Sequence, residues 1–96
     1  ETAQLVALAK KARQLGGAVA VLTTNRHATI TEFVDVIVQI NAPSKNQKDS
    51  VFRSAQPMAS LYEQALLVIA DALVMKMAAE SGAPESELFK RHANLE

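Results

Sequence analysis

Two short apolar runs constrain the fold of this chain more than any other feature of its sequence. Residues 18–22 and 36–40 are almost wholly apolar and show no alternation of polar with apolar side chains. Runs of this kind are typical of strands that are buried on both faces of a parallel sheet. A short amphipathic segment, residues 29–34, separates them. The pattern therefore predicts a strand–helix–strand unit, and such units are almost always right-handed.

A helix is predicted before this unit. Over residues 2–15, apolar side chains recur at spacings of three and four, and the other faces are polar. The basic residues on those faces, among them Lys10 and Arg13, are expected to be solvated. Gly16 is expected to end the helix, because glycine adopts the left-handed conformation that closes helices.

A long helix and a short one are predicted after the unit. The long helix is expected to run from Pro57 to about Ser81, since proline is favoured at the first helical position and Gly82 follows the last turn. It is apolar on almost every face, so we expect it to be buried all round, against another subunit or a further part of the protein. The short helix, residues 84–93, has Leu88 and Phe89 on its apolar side.

Composition excludes several classes of function. The 96 residues include 10 basic and 10 acidic side chains, and 49% are hydrophobic. This describes one small domain with a real core, and the lack of excess positive charge argues against a nucleic-acid partner. There is no cysteine, and His27 and His92 are far apart, so neither a thiolate nucleophile nor a metal site is expected. The longest apolar stretch, residues 65–75, is too short to span a membrane, and we expect a cytoplasmic protein.

The carboxyl ends of the two strands are the expected ligand site, because open parallel sheets bind ligands beyond those ends. Thr24 and Asn25 follow the first strand, and the polar segment 41–56 after the second is expected to be a functional loop. Arg53 and Lys48 in this loop are candidates for binding phosphate. Thr2, at the start of the first helix, fits either a phosphate ligand or a simple N-cap.

Glu63 also has two interpretations. A carboxylate in a partly apolar cleft has a raised pKa and is suited to act as a general base. The spacing from Ser60 to Glu63 also fits a capping box, in which the glutamate binds the amide of Ser60. A helix that begins at Pro57 would leave both side chains inside it and available to a ligand.

Three segments resemble the 6-phospho-3-hexuloisomerases, enzymes of the sugar isomerase (SIS) fold. Residues 54–64 read SAQPMASLYEQ and are similar to the signature of that family. Residues 91–96 read RHANLE and are similar to its typical C-terminus, and Glu1-Thr2 resembles the end of its phosphate loop. The chain departs from the family at Ala59, where glycine is common.

The resemblance implies an α/β fold, the flavodoxin-like, three-layer α/β/α arrangement of SIS domains with a parallel sheet, usually assembled as a homotetramer. Residues 1–96 would be the C-terminal part of a single SIS domain. The N-terminal strands and the serines of the phosphate loop would then lie upstream of Glu1. On this expectation the isolated chain is inactive, because its main phosphate anchor is absent.

The implied reaction interconverts D-arabino-3-hexulose 6-phosphate and fructose 6-phosphate through an enediol, without metal or cofactor, in the ribulose monophosphate pathway or in pentose phosphate supply. By resemblance Glu63 is the general base and Thr2 a phosphate ligand. Thr24, Asn25 and Gln56 become substrate contacts. His92 would act from a neighbouring subunit, on ring opening of fructose 6-phosphate or on the enediol oxygens.

Two alternatives to this activity stay open. The first is another isomerase of the same fold, which moves the carbonyl between carbons 1 and 2 of a different sugar phosphate. The second is a non-catalytic SIS domain that senses sugar phosphates. A sensor needs contacts to phosphate and hydroxyl groups but no base, so Glu63 favours catalysis.

Overall fold

The computed structural model describes residues 2–45 and 51–91. In chain order the elements are helix α1 (Ala3–Gln14), strand β1 (Ala20–Thr23), a 3₁₀ helix (Thr29–Phe33), strand β2 (Val36–Gln39), helix α2 (Ser60–Ser81) and helix α3 (Glu85–Lys90). The two strands pair in parallel, with Ala20 opposite Val36 and Thr23 opposite Gln39. The predicted strand–helix–strand unit is confirmed, and the architecture is compatible with the α/β class.

The chain divides into two compact units with their boundary between Leu66 and Leu67. The first unit holds α1, both strands, the 3₁₀ helix and the first turns of α2. The second holds the rest of α2 and α3. No helix among the described residues is long and apolar enough to cross a membrane.

Helix α1 ends as its sequence predicts. Gly16 has a φ of 82°, in the left-handed region that glycine adopts without strain. The Gly16 amide donates to the carbonyl of Arg13 at 2.9 Å, and the Gly17 amide donates to that of Ala12 at 2.9 Å. This pair of bonds is a Schellman motif, which satisfies carbonyls that the last helical turn leaves unpaired.

The basic residues of α1 are exposed, as expected, but two of them also make contacts that the sequence did not predict. Lys10 places its ammonium group 4.4 Å from the centre of the Phe33 ring. Arg13 forms an ion pair with Asp35, just before β2. The Asp35 carboxylate also accepts a hydrogen bond of 2.8 Å from the Val19 amide. That amide and the Arg13 guanidinium hold the pKa of the Asp35 carboxyl below its usual value.

The strands are less buried than their apolar sequences predict. Three of the four residues of β1 are half-buried, and Val36 in β2 is 53% exposed. The reason is that the described sheet has two strands, so each strand has one free edge. The buried core of the described residues is small and lies after β2 and on the inner face of α1. Its apolar members are Ala9, Ile40 and Ala42, together with Pro43.

Helix α2 begins at Ser60, three residues after the predicted start at Pro57. Met58 has a φ of 56°, a left-handed conformation that a right-handed helix cannot include. The Ser60 amide donates to the Pro57 carbonyl at 3.2 Å, so residues 57–60 form a turn. The first helical bond runs from the Glu63 amide to the Ala59 carbonyl, at 3.0 Å. The predicted end is confirmed, because α2 stops at Ser81 and Gly82 has a φ of 63°.

The second unit exposes apolar side chains that the sequence led us to expect inside. Met75 is 72% exposed on α2, and Leu88 and Phe89 are 44% and 79% exposed on α3. Contacts among the described residues therefore do not bury α2 on every face, and its cover by another subunit or a further part of the protein stays a prediction. The physical reason is size, since part of one helix and a short second helix offer little surface to cover one another.

Candidate functional site

A cleft of about 320 Å³ lies at the carboxyl end of β1, where a ligand site was predicted. We call it the strand-end cleft. Its polar lining is formed by Thr2, Thr23, Thr24, Asn25 and Tyr62, and its apolar lining by Leu5, Val21, Leu22, Ala28 and Ile30. The structure therefore brings together three of the predicted site residues, which the sequence places in two distant segments.

Two further clefts adjoin the first one. The lysine cleft, of about 360 Å³, is lined by Thr2, Thr24, Pro43, Ser44, Lys45, Ala59 and Tyr62. The outer cleft, of about 330 Å³, is lined by Thr24, Asn25, Gln39, Ala42, Ser44, Val51 and Phe52. Thr24 lines all three clefts, so it occupies the centre of the candidate site. Among the residues that the structure describes, no aspartate or glutamate lines any of the three clefts.

Thr2 occupies the N-cap position of α1, but its hydroxyl forms no capping hydrogen bond. The Thr2 carbonyl, not the side chain, accepts a bond of 2.9 Å from the Leu5 amide. Thr2 lines both the strand-end cleft and the lysine cleft. Of the two interpretations of Thr2, the capping role of its hydroxyl is therefore not found.

Asn25 shapes the turn after β1. Its amide donates to the hydroxyl of Thr23 at 3.1 Å, and its side-chain oxygen accepts a bond of 2.9 Å from the His27 amide. Such local bonds are the usual reason for asparagine in a turn. They occupy the side-chain oxygen and do not use the side-chain NH₂ group. The site can therefore still take one or two hydrogen bonds from Asn25 as a donor.

Tyr62 is a site residue that sequence reasoning missed. Its hydroxyl donates a hydrogen bond of 2.9 Å to the carbonyl of Leu22, and its ring lines the strand-end and lysine clefts. Partial burial raises the pKa of the Tyr62 phenol. The bond ties the first turn of α2 to the end of β1. The sequence offered one indication of this role, since the single tyrosine of the chain lies within the signature segment.

Glu63 directly follows Tyr62 but is exposed and lines none of the three clefts. The apolar surroundings expected for it are not supplied by the described residues. The capping box is not formed either, because the Ser60 amide donates to the carbonyl of Pro57. The Glu63 side chain is therefore not committed to capping α2.

The remaining predicted residues lie apart from the clefts or outside the described residues. Gln56 is half-buried, donates a hydrogen bond of 2.9 Å to the side chain of Gln64 and lines none of the three clefts. Arg53 is exposed and lines none of them either. Glu1, Lys48 and His92 lie outside the residues that the structure describes. Among residues 2–45 and 51–91, no three histidine or acidic side chains are grouped so that they could hold a metal ion.

Comparison with known proteins finds named relatives, although no family model matches the chain. It is similar to proteins named 3-hexulose-6-phosphate isomerase from three bacteria. The identity is 38% with that of Bacillus subtilis (strain 168), over 100% of this chain and 52% of the relative. It is 34% with that of Mycobacterium gastri, over 99% of this chain and 47% of the relative. It is 27% with that of Methylomonas aminofaciens, over 99% of this chain and 51% of the relative.

The matches cover nearly all of this chain, and the chain spans about half the length of these relatives. The resemblance that the signature segment indicated is thereby confirmed. Over nearly its whole length, the chain is similar to about half of each of these proteins.

Proposed function

We propose that the protein in which this chain occurs is an isomerase that interconverts D-arabino-3-hexulose 6-phosphate and fructose 6-phosphate. The single observation that carries the proposal is the meeting of Thr2, Thr24 and Asn25 in the strand-end cleft, at the carboxyl end of a parallel strand. Hydroxyl and amide donors in such a place suit a phosphorylated sugar. The names of the relatives support the same substrate.

The reaction moves one carbon-bound proton by one position. A base removes the proton from carbon 2 of the 3-hexulose, and the electrons of that bond form the double bond of an enediolate between carbons 2 and 3. The oxygen on carbon 3, which holds the electron pair of the former carbonyl, takes up the proton that leaves the oxygen on carbon 2. Return of the first proton to carbon 3 then leaves the carbonyl at carbon 2. Proton transfer of this kind needs a base whose pKa lies near the operating pH, and hydrogen-bond donors that stabilise the enediolate oxygens.

In this proposal Glu63 is the base. Its support is the place of Glu63 beside Tyr62, whose hydroxyl fixes the beginning of α2 to the end of β1. Because the carboxylate does not cap the helix, it can take a proton from a substrate. Thr2 and Thr24 would bind the phosphate or sugar oxygens, Asn25 would donate to a sugar hydroxyl, and Gln56 would contact the substrate from the signature segment.

His92 is proposed to act from a neighbouring subunit of a homotetramer. A 3-ketose phosphorylated on its terminal oxygen cannot close a five- or six-membered ring, whereas fructose 6-phosphate can. A histidine that opens rings would therefore matter in the direction that starts from fructose 6-phosphate. A His92→Ala variant that keeps both its assembly and its rates in both directions would exclude this role.

A second candidate function is binding without catalysis, as in a sugar-phosphate sensor. The observation that favours it is the exposure of Glu63, which lines none of the three clefts. Such a domain would use the threonine and asparagine contacts alone. It would bind the phosphorylated sugar and leave its carbon-bound protons unexchanged.

The experiment that separates these functions is hydrogen exchange in heavy water. The complete natural protein that contains this sequence is incubated with fructose 6-phosphate, and deuterium in the sugar is located by NMR. We expect deuterium at carbon 3 in the wild type, and a loss of at least ~100-fold in the exchange rate in Glu63→Gln, since general bases contribute about 10²–10⁴-fold. Glu32→Gln, which alters another exposed carboxylate, is the matched control and should exchange normally.

Other outcomes of this experiment would change the assignment. Deuterium at carbon 1 alone would indicate an aldose–ketose isomerase and overturn the proposed substrate. Tight binding without any exchange would favour the sensor. Exchange at carbon 3 that persists in Glu63→Gln would keep the reaction and remove Glu63 from it.

A further inference from the structure

We propose that Lys45 binds the phosphate group of the substrate in the lysine cleft, together with Thr2 and Thr24. The inference rests on the proposed function for the identity of the ligand, a phosphorylated sugar. The cleft, its lining and its charge do not depend on that function. Sequence reasoning selected Arg53 and Lys48 as phosphate ligands and did not consider Lys45.

The segment that leads to Lys45 is fixed by burial and by backbone hydrogen bonds. Ile40 and Ala42 are each 4% exposed, and Pro43 is almost fully buried. The Ile40 amide donates to the carbonyl of Thr23 at 2.9 Å, which ties this segment to the end of β1. The backbone just before Lys45 is therefore held in place by burial and by a hydrogen bond to the end of β1.

Charge is distributed unevenly around the clefts. Among the described residues that line the three clefts, Lys45 is the one lysine, and none is an arginine, aspartate or glutamate. Among the described residues it is a partner in none of the ion pairs. Other basic groups are already engaged, Lys10 on the Phe33 ring and Arg13 with Asp35. The positive charge of Lys45 is therefore not neutralised within the part of the chain that the structure describes.

The ligand chemistry that fits this lining is a phosphomonoester dianion. Lysine offers a mobile ammonium group with three donors, and each threonine hydroxyl offers one more. Charge-assisted hydrogen bonds of this type are the strong ones. A cleft of about 360 Å³ has room for a phosphate and the adjoining carbons of a sugar. The Thr2 hydroxyl is not used as a helix cap, so its donor remains for the ligand.

The test compares Lys45→Met with Lys11→Met in the complete natural protein. Lys11 is an exposed lysine of α1 that lines none of the three clefts. Its variant therefore removes the same charge at a position away from the proposed site. Two quantities are measured, the KM for fructose 6-phosphate and the dissociation constant of inorganic phosphate by calorimetry.

We expect Lys45→Met to raise both constants about 10-fold or more, with kcat changed much less, since the lost interaction involves a charged group and is made before the reaction begins. Lys11→Met should change neither constant. Lys45→Arg should retain most of the phosphate affinity because it retains the charge. Added salt should weaken phosphate binding in the wild type more than in Lys45→Met.

Unchanged phosphate affinity in Lys45→Met would overturn the inference, even if the wild type is an active isomerase. Equal losses in Lys45→Met and Lys11→Met would overturn it too, since they would show an effect of net charge alone. A wild type that exchanges no sugar protons but binds phosphate through Lys45 would refute the proposed reaction and support the Lys45 site. The two proposals therefore fail by different measurements.

Discussion

At the scale of single residues, Asp35 connects separate segments of the first unit. Asp35 lies just before β2. Its carboxylate forms an ion pair with Arg13 of α1 and accepts a hydrogen bond from the amide of Val19, just before β1. Both partners favour its charged form, which is why its pKa is lowered. The sequence showed an acidic residue before an apolar run but nothing that identified its partners.

The lowered pKa of Asp35 predicts how stability depends on pH. A carboxyl whose folded pKa lies below its unfolded value, about 3.9, contributes stability above that value. The contribution is lost as the pH falls through the folded pKa. We expect the urea midpoint of the wild type to fall more steeply in acid than that of Asp35→Asn. Parallel curves for the two proteins would show that the carboxylate contributes nothing, and Glu32→Gln should follow the wild type.

Tyr62 is accessible to a direct titration, because the chain has one tyrosine and no tryptophan. Its phenol is kept protonated by partial burial, so phenolate absorbance should appear at higher pH in the folded protein than in denaturant. A raised folded pKa means that the stabilisation is present below about pH 10. It is lost as the pH rises through the folded value. Coincident titrations in buffer and in denaturant would contradict the burial of the ring.

The Tyr62→Phe variant tests the hydrogen bond to Leu22 separately from the ring. It removes the hydroxyl that reaches the end of β1 and leaves the ring in the clefts. We expect a loss of about 1 kcal/mol in the free energy of unfolding, as for a typical neutral hydrogen bond. Urea denaturation followed by circular dichroism measures it. Unchanged stability would mean that the bond does not hold the start of α2.

At the scale of elements, helix ends were predicted well where one residue decides them and poorly where several compete. Gly16 and Gly82 both have positive φ and both follow helices that end as expected. The start of α2 was placed at Pro57, because proline is favoured in a first turn. Met58 takes a left-handed conformation instead, which nothing in its side chain favours.

The left-handed conformation of Gly16 leads to a prediction about the stability of the end of α1. A Cβ at Gly16 would meet no other residue within 4 Å, apart from its chain neighbours, but an L residue is strained at a φ of 82°. Gly16→Ala should therefore lower the free energy of unfolding by about 1–2 kcal/mol. The control is Gln14→Ala, in the last residue of α1, where alanine is favoured and the change should stay within about 0.5 kcal/mol. Equal midpoints of urea unfolding for the two variants would contradict the role of the left-handed residue.

At the scale of the whole molecule, the apolar surface of the second unit is the dominant feature. We expect this surface to be covered in the complete natural protein, by another subunit or by a further part of that protein. Met75→Lys would then bury a charge and cost at least ~2 kcal/mol, or dissociate the assembly. Sedimentation and urea unfolding measure both effects. Lys76→Gln, on the same helix, is the control, and a Met75→Lys protein with unchanged mass and stability would refute the expectation.

The sequence by itself determined the order of the elements, the parallel strand pair, the glycine-closed helix ends and the segments that link the chain to its relatives. These depend on periodicity and dihedral preference, which act over a few residues. Tertiary structure alone decided that Thr2, Thr24, Lys45 and Tyr62 line one cleft. It also decided that Tyr62 bonds to Leu22 across 40 positions of the chain, and that Arg13 pairs with Asp35. The physical reason is that such contacts depend on how whole elements pack against one another, which a pattern over a few residues does not predict.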